Sequence, residues 1–165
     1  VLGAVIARLS GADGLQVGVQ TAIQDIPGFR APRSGDKDEK VDLWLLTPAG
    51  RRVLVSAKWS VRADREKQFA GDFETYVSCE ERREPFDYVW VTNEFDPARL
   101  VANATNVVGN RYLFDAVVHV AADALHVVHE LDREQLPKTP GRLKELLDTG
   151  RIIGLGDWLE QVSAA

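Results

Sequence analysis

The stretch KVDLWLLTPAGRRVLVSAKWS, residues 40–60, constrains this chain more than any other. Two apolar runs rich in β-branched and aromatic residues flank TPAG, Thr47 to Gly50, a four-residue turn signal. The expected product is an antiparallel hairpin of Lys40–Leu46 and Val53–Ser60. Side chains alternate faces along a strand. Val53, Val55, Ala57 and Trp59 should therefore meet the core, with Leu54, Ser56, Lys58 and Ser60 opposite. A lysine in mid-strand is a poor choice unless it points at something useful. If the turn centres on Ala49 and Gly50, position 42 pairs near positions 56 to 58, and an even sum, 42 with 58, puts Asp42 and Lys58 on one face with Ser56 beside them.

The remaining pattern fixes the class. Phe69, Phe73, Tyr76, Val77 and Glu80 share one helical stripe, so a helix is expected from Asp64 to Glu84, with Pro85 ending it. FDYVWVT (86–92) reads as a buried strand. Asp96 followed by Pro97 reads as an N-cap and first helical position. Phe114–Ala121 reads as a further strand, and helices are expected near 122–132, 140–148 and the GDWLEQV segment. VLGAVIARL (1–9) reads as a helix end or buried segment. Residues 15–35 give only turn signals. The order hairpin, helix, strand, helix, strand, helix defines an α/β chain with a mixed central sheet flanked by helices.

At 165 residues the chain has room for one compact domain. It contains no methionine, even at position 1, which suggests a piece of a longer product lacking an N-terminal segment. Cys79 is the only cysteine, so an internal disulfide and a cysteine-built metal site are both excluded. No apolar run is long enough to span a bilayer. The net charge of −5 argues against a protein that coats nucleic acid, yet from Arg51 to Ala70 there are six basic residues and two acidic ones. That contrast marks either a site or a solvated helix face.

Asp42 beside Lys58 admits two readings. One is a cross-strand ion pair. The other is phosphodiester hydrolysis: Asp42 supplies the hard oxygen a divalent metal needs, and Lys58 stabilises charge developing on the phosphate and positions the attacking water. One carboxylate holds magnesium poorly, so a second acid is needed. The following helix offers Asp72 and Glu74, which point roughly 200° apart. At most one can face the site.

An aspartate followed by a strand with x-Lys resembles the PD-(D/E)XK nucleases. The segment SAKWSVRADR, Ser56 to Arg65, more specifically resembles the CCGG-recognising type II restriction endonucleases of that class, the NgoMIV-, AgeI- and BsaWI-like group. The resemblance covers about Val41 to Val77. It implies a restriction-endonuclease-like fold. It implies Asp42 as a metal ligand, Lys58 as the catalytic lysine, Ser56 in a vacated acidic position, and Asp72 or Glu74 as the helix acid, with Mg2+ as cofactor. Arg62, Asp64 and Arg65 would read bases. It further implies a homodimer cutting double-stranded DNA at a CCGG-centred palindrome, in a bacterial or archaeal cytoplasm. Independently, two arginines and an aspartate match guanine and cytosine edges in the major groove, where a forked guanidinium meets O6 and N7.

Weaker features are read blandly. His126 and His129 are three apart on a helix, but ordinary histidines are expected there and at His119. Asp36, Asp38 and Glu39 read as a solvated loop, with a secondary metal role as the alternative. Trp44, Trp59, Trp90 and Trp158 read as core or interface residues. Thr92, Asn93 and Glu94 read as strand-end packing. Two other functions stay open: a nuclease-fold protein that binds or repairs another nucleic acid, and a non-catalytic α/β interaction domain.

Overall fold

The computed structural model describes residues 3, 14–33, 39–60, 66–132 and 138–164. The expected N-terminal helix segment 1–9 lies almost wholly outside them. The hairpin forms as anticipated. Strand β2 (Lys40–Leu46) pairs antiparallel with β3 (Arg52–Ala57), and Gly50 takes the left-handed conformation (φ 84°) that closes the turn. Leu43 faces Val55 and Leu46 faces Arg52, which sets position 42 toward 56, at one end of the expected range of 56 to 58. The pairing sum is even, so Asp42 lies on the face of Ser56.

A strand absent from the sequence reading, β1 (Gln16–Ala22), joins the other side of β2 antiparallel, with a short 3-10 turn at Ile23–Asp25 after it. On the far side of β3 the sheet becomes parallel, through β4 (Asp87–Thr92), β7 (Ala116–His119) and β8 (Ile152–Gly154), in the order β1-β2-β3-β4-β7-β8. A two-residue pair, β5 (Val107–Val108) and β6 (Arg111–Tyr112), forms a separate small ribbon.

Helices cover both faces. On one face lie α1 (Glu66–Cys79), α2 (Pro97–Ala104), α3 (Ala122–Asp132) and α4 (Lys138–Asp148), and their Phe69, Phe73, Leu100, Leu125 and Leu143 enclose Leu54, Tyr88, Trp90 and Phe114. On the other, Trp158 and Val162 of α5 (Leu155–Ser163) cover Leu43, Val53, Val55, Val89 and Val118. Both faces of β3 are therefore buried as far as Ser56, which is why its sequence is nearly continuous in apolar residues rather than alternating. Burial of this kind contributes about 25 cal/mol per Å² of apolar surface, the main driving force for the layering.

Several expectations need correction. The helix after β3 stops at Cys79, six residues before Pro85, because Glu80 bridges Phe29 and the Glu81 amide donates to the Gly28 carbonyl. Val77 is exposed rather than on the buried stripe. Ala57 is also exposed, and Trp59 is 71% exposed: the strand ends at Ala57, so the face assignment does not reach it. The Asp96 N-cap behaves as expected, its carboxylate accepting from the Ala98 and Arg99 amides.

Candidate active site

The end of β3 leaves its neighbour on one side only. The Lys58 amide still donates to the Val91 carbonyl of β4 (3.0 Å), but on the β2 side the Ala57 amide donates to Asp42 Oδ2 at 2.9 Å. A side-chain carboxylate thus takes the place of a backbone carbonyl. The same oxygen accepts from Lys58 Nζ at 2.9 Å. Its partner, Oδ1, accepts from Gln20 Nε2 of β1 at 2.9 Å. Both oxygens of Asp42 are thereby held, Oδ2 by one backbone amide and the Lys58 side chain and Oδ1 by the Gln20 side chain.

These groups open into a polar cleft of about 220 Å³ lined by Glu39, Lys40, Asp42, Ser56, Lys58, Gln68, Asp72 and Tyr76. Three lining positions on β2 and β3 follow from strand alternation, and three more, Gln68, Asp72 and Tyr76, from the four-residue spacing along one face of α1. Asp72 lines the cleft; Glu74, two residues on, is exposed and is not among its lining residues. Burial raises the Asp72 carboxyl above its ordinary range; Lys58 opposes this and the Asp42 charge adds to it. Burial, and then the charge of Asp72, pushes the Tyr76 phenol far up, so it stays neutral and can donate. Ser56 is buried at the floor, 4% exposed.

Asp42 and Asp72 give two hard oxygen donors in one polar space. Magnesium is commonly held by one or two carboxylates and completed by water and substrate phosphates, so this donor set fits it. Among the described residues no cluster of three or more His, Cys, Asp or Glu side chains gathers as a metal site.

The basic stretch from Arg51 divides. Arg52 is a buried ion-pair partner of Glu80 (2.9 Å) and is closed to a substrate, whereas Arg51, paired with Asp87, is exposed. Arg62, Asp64 and Arg65, the expected base readers, lie outside the described residues, as do Asp36 and Asp38. Glu39, expected on a solvated loop, lines the cleft. Among the histidines, His119 is buried against the Glu94 carbonyl (2.9 Å), which with burial keeps it a structural residue; His126 is exposed, and the His129 side chain lies outside the described residues. Thr92 and Glu94 close the strand end: Thr92 Oγ1 donates to the Trp59 carbonyl (3.3 Å) and Glu94 Oε1 accepts from the Asp96 amide (3.0 Å).

Gln20, Gln68 and Lys40 were missed from sequence. Gln68 carried a usable signal, four residues before Asp72 on the same helix face; Gln20, on a strand that gave no pattern, carried none.

No family model matches the chain, and no curated protein matches it. Among solved structures it is similar to the small subunit (R.BspD6I2) of the heterodimeric restriction endonuclease R.BspD6I. The two are 12% identical with a TM-score of 0.35, over 95% of this chain and 81% of that one.

Proposed function

We propose that this chain is the catalytic domain of a magnesium-dependent type II restriction endonuclease with a PD-(D/E)XK core, cutting double-stranded DNA at a CCGG-containing palindrome. One observation carries the reading. The Asp42 carboxylate and the Lys58 ammonium meet at 2.9 Å in a polar cleft that the half-buried acid Asp72 also lines. A lysine used only to neutralise Asp42 does not require a second carboxylate beside it.

In this reading Asp42 and Asp72 hold Mg2+, which supplies Lewis-acid stabilisation of the phosphate when bound. Lys58 stands beside Asp42 in the cleft. There it stabilises negative charge building on the non-bridging phosphate oxygens and orients the attacking water. Ser56 lies at the floor where it can hydrogen-bond that water. Arg62 and Arg65 present forked donors to guanine and Asp64 an acceptor to the cytosine amino group. A palindromic site calls for a two-fold symmetric homodimer.

Incubating supercoiled plasmid with the protein and Mg2+, in parallel with Asp42→Ala, tests this. Discrete fragments with CCGG at their ends are expected from the parent and none from the variant. DNA retardation without cutting would move the reading to a nuclease-fold binding protein. Neither effect would leave the ion pair as a structural element of an interaction domain. Uniform cutting at all sequences would remove the role of Arg62, Asp64 and Arg65 while leaving the cleft's.

A further inference from the structure

Gln20 is one of two non-glycine residues in the left-handed region among the described residues, at φ 49°, and it sits in the middle of a strand. That conformation is costly for a residue with a Cβ. The ladder on either side is regular: Val19 faces Leu43 and Thr21 faces Val41 in one register, with Gln20 opposite Asp42 and left out of the pairing. No residue is inserted, so this is not a bulge relieving a mismatch.

The neighbours hold the kink in place. A Cβ at Gly18 would come within 2.0 Å of the Trp44 indole nitrogen, so glycine there admits the ring. The same indole N–H donates to Thr21 Oγ1 at 3.0 Å. Trp44 is packed on the core and grips the strand on both sides of position 20. Strain that is over-determined by its surroundings tends to mark function. Here the strained residue places its amide nitrogen 2.9 Å from Asp42 Oδ1.

We infer that Gln20 is a positioning residue for the cleft: its amide fixes the plane of the Asp42 carboxylate, so that Oδ2 stays directed to Lys58 and both oxygens keep the orientation a divalent cation meets. This rests on the function proposed above. Partners of this kind behind a metal ligand typically change metal affinity about tenfold or more when removed.

Gln20→Gly separates this role from a structural one. Glycine accepts positive φ freely, so the substitution relieves strain while deleting the amide. Calorimetric titration with Mn2+ and thermal melting without metal are read together. The expected result is a melting temperature at or above the parent's with Mn2+ affinity about tenfold weaker. Unchanged Mn2+ affinity in Gln20→Gly overturns the inference and leaves the proposed nuclease function standing, since that function is tested at Asp42. A parent chain that takes up no Mn2+ removes both. Gln20→Glu reads the same contact with opposite sign. A further carboxylate against Asp42 should lower the metal-free melting temperature, and Mn2+ should restore it. A Gln20→Glu protein that melts like the parent with and without Mn2+ counts against the inference.

Discussion

The two ends of β3 carry ion pairs of the same length and opposite character. At one end Arg52 meets Glu80 at 2.9 Å with side chains 5% and 6% exposed; at the other Lys58 meets Asp42 at 2.9 Å with side chains 38% and 19% exposed. Everything around Arg52 is finished. Its second Nη donates to the Glu84 carbonyl (3.0 Å), its guanidinium lies 5.2 Å from the centre of the Phe29 ring, and Glu80 also accepts from the Arg82 and Glu84 amides. Around Lys58 the hydrogen bonds stop at the cleft, where another acid waits. Separation alone therefore says nothing about role. The completeness of the surrounding contacts, and what remains open beside them, distinguishes a staple from a site.

The comparison can be broken most forcefully at the buried end. Arg52→Ala leaves Glu80 charged, buried and unpaired, and should lower unfolding free energy by about 3–5 kcal/mol. Urea denaturation measures it; a loss under about 1 kcal/mol would make the two pairs equivalent. At the open end, Lys58→Met should change stability by less than about 1 kcal/mol. If the proposed function holds, it should lower the cleavage rate by about 10²–10³, as removing one charge-stabilising donor does. Single-turnover digestion reads that loss, and a stability loss matching Arg52→Ala would contradict the contrast.

Acid titration sharpens it further, because the carboxylates respond with opposite signs. Burial pushes Glu80 up, but the Arg52 hydrogen bond, the Arg82 amide and the Arg52 charge outweigh it and hold the carboxyl below its ordinary value of 4.5. Its stabilisation is present above that value and is lost as pH falls through the folded one. Asp72 is raised above 3.8, chiefly by burial, so the folded state prefers its neutral form. Its effect runs the other way: stability declines as pH rises from 3.8 through the raised value. Urea midpoints across the acid range should therefore show Asp72→Asn flattening a decline and Glu80→Gln flattening a rise. The same sign from both would refute the assignment. The smallest effect is expected at Trp59. With its ring largely in solvent, Trp59→Ala should shift stability by no more than about 0.5 kcal/mol in a melt.

How far these features could be read in advance depended on how local their causes are. The hairpin, the Asp96 cap and the Phe69–Phe73–Tyr76 stripe are written in neighbouring residues, and all three form. The face shared by Asp42 and Lys58 was legible because either even pairing within the expected range, 42 with 56 or with 58, gives the same parity. Trp59 did not survive, because alternation ceases where the strand does. β1 was hidden: its Val17 and Val19 are flanked by Gly18, Gln16 and Gln20, a pattern too polar to stand out on an edge strand. β8, at three residues, and the β5–β6 pair, at two each, are too short to carry periodicity. Arg52 looked like one of a basic run. Its burial depends on Glu80, 28 positions away, and no local signal reports such a partner.

The bond from the Ala57 amide to the Asp42 carboxylate has a practical consequence. Most peptide hydrogens in a sheet are shielded by another main chain, and their exchange with solvent deuterium reports opening of the whole ladder. This one is shielded by a side chain that can turn independently. Its deuterium uptake should follow the orientation of a single carboxylate, so that a cation, a nucleic acid or a substitution at position 20 would register at that amide in a protein that need not turn over anything.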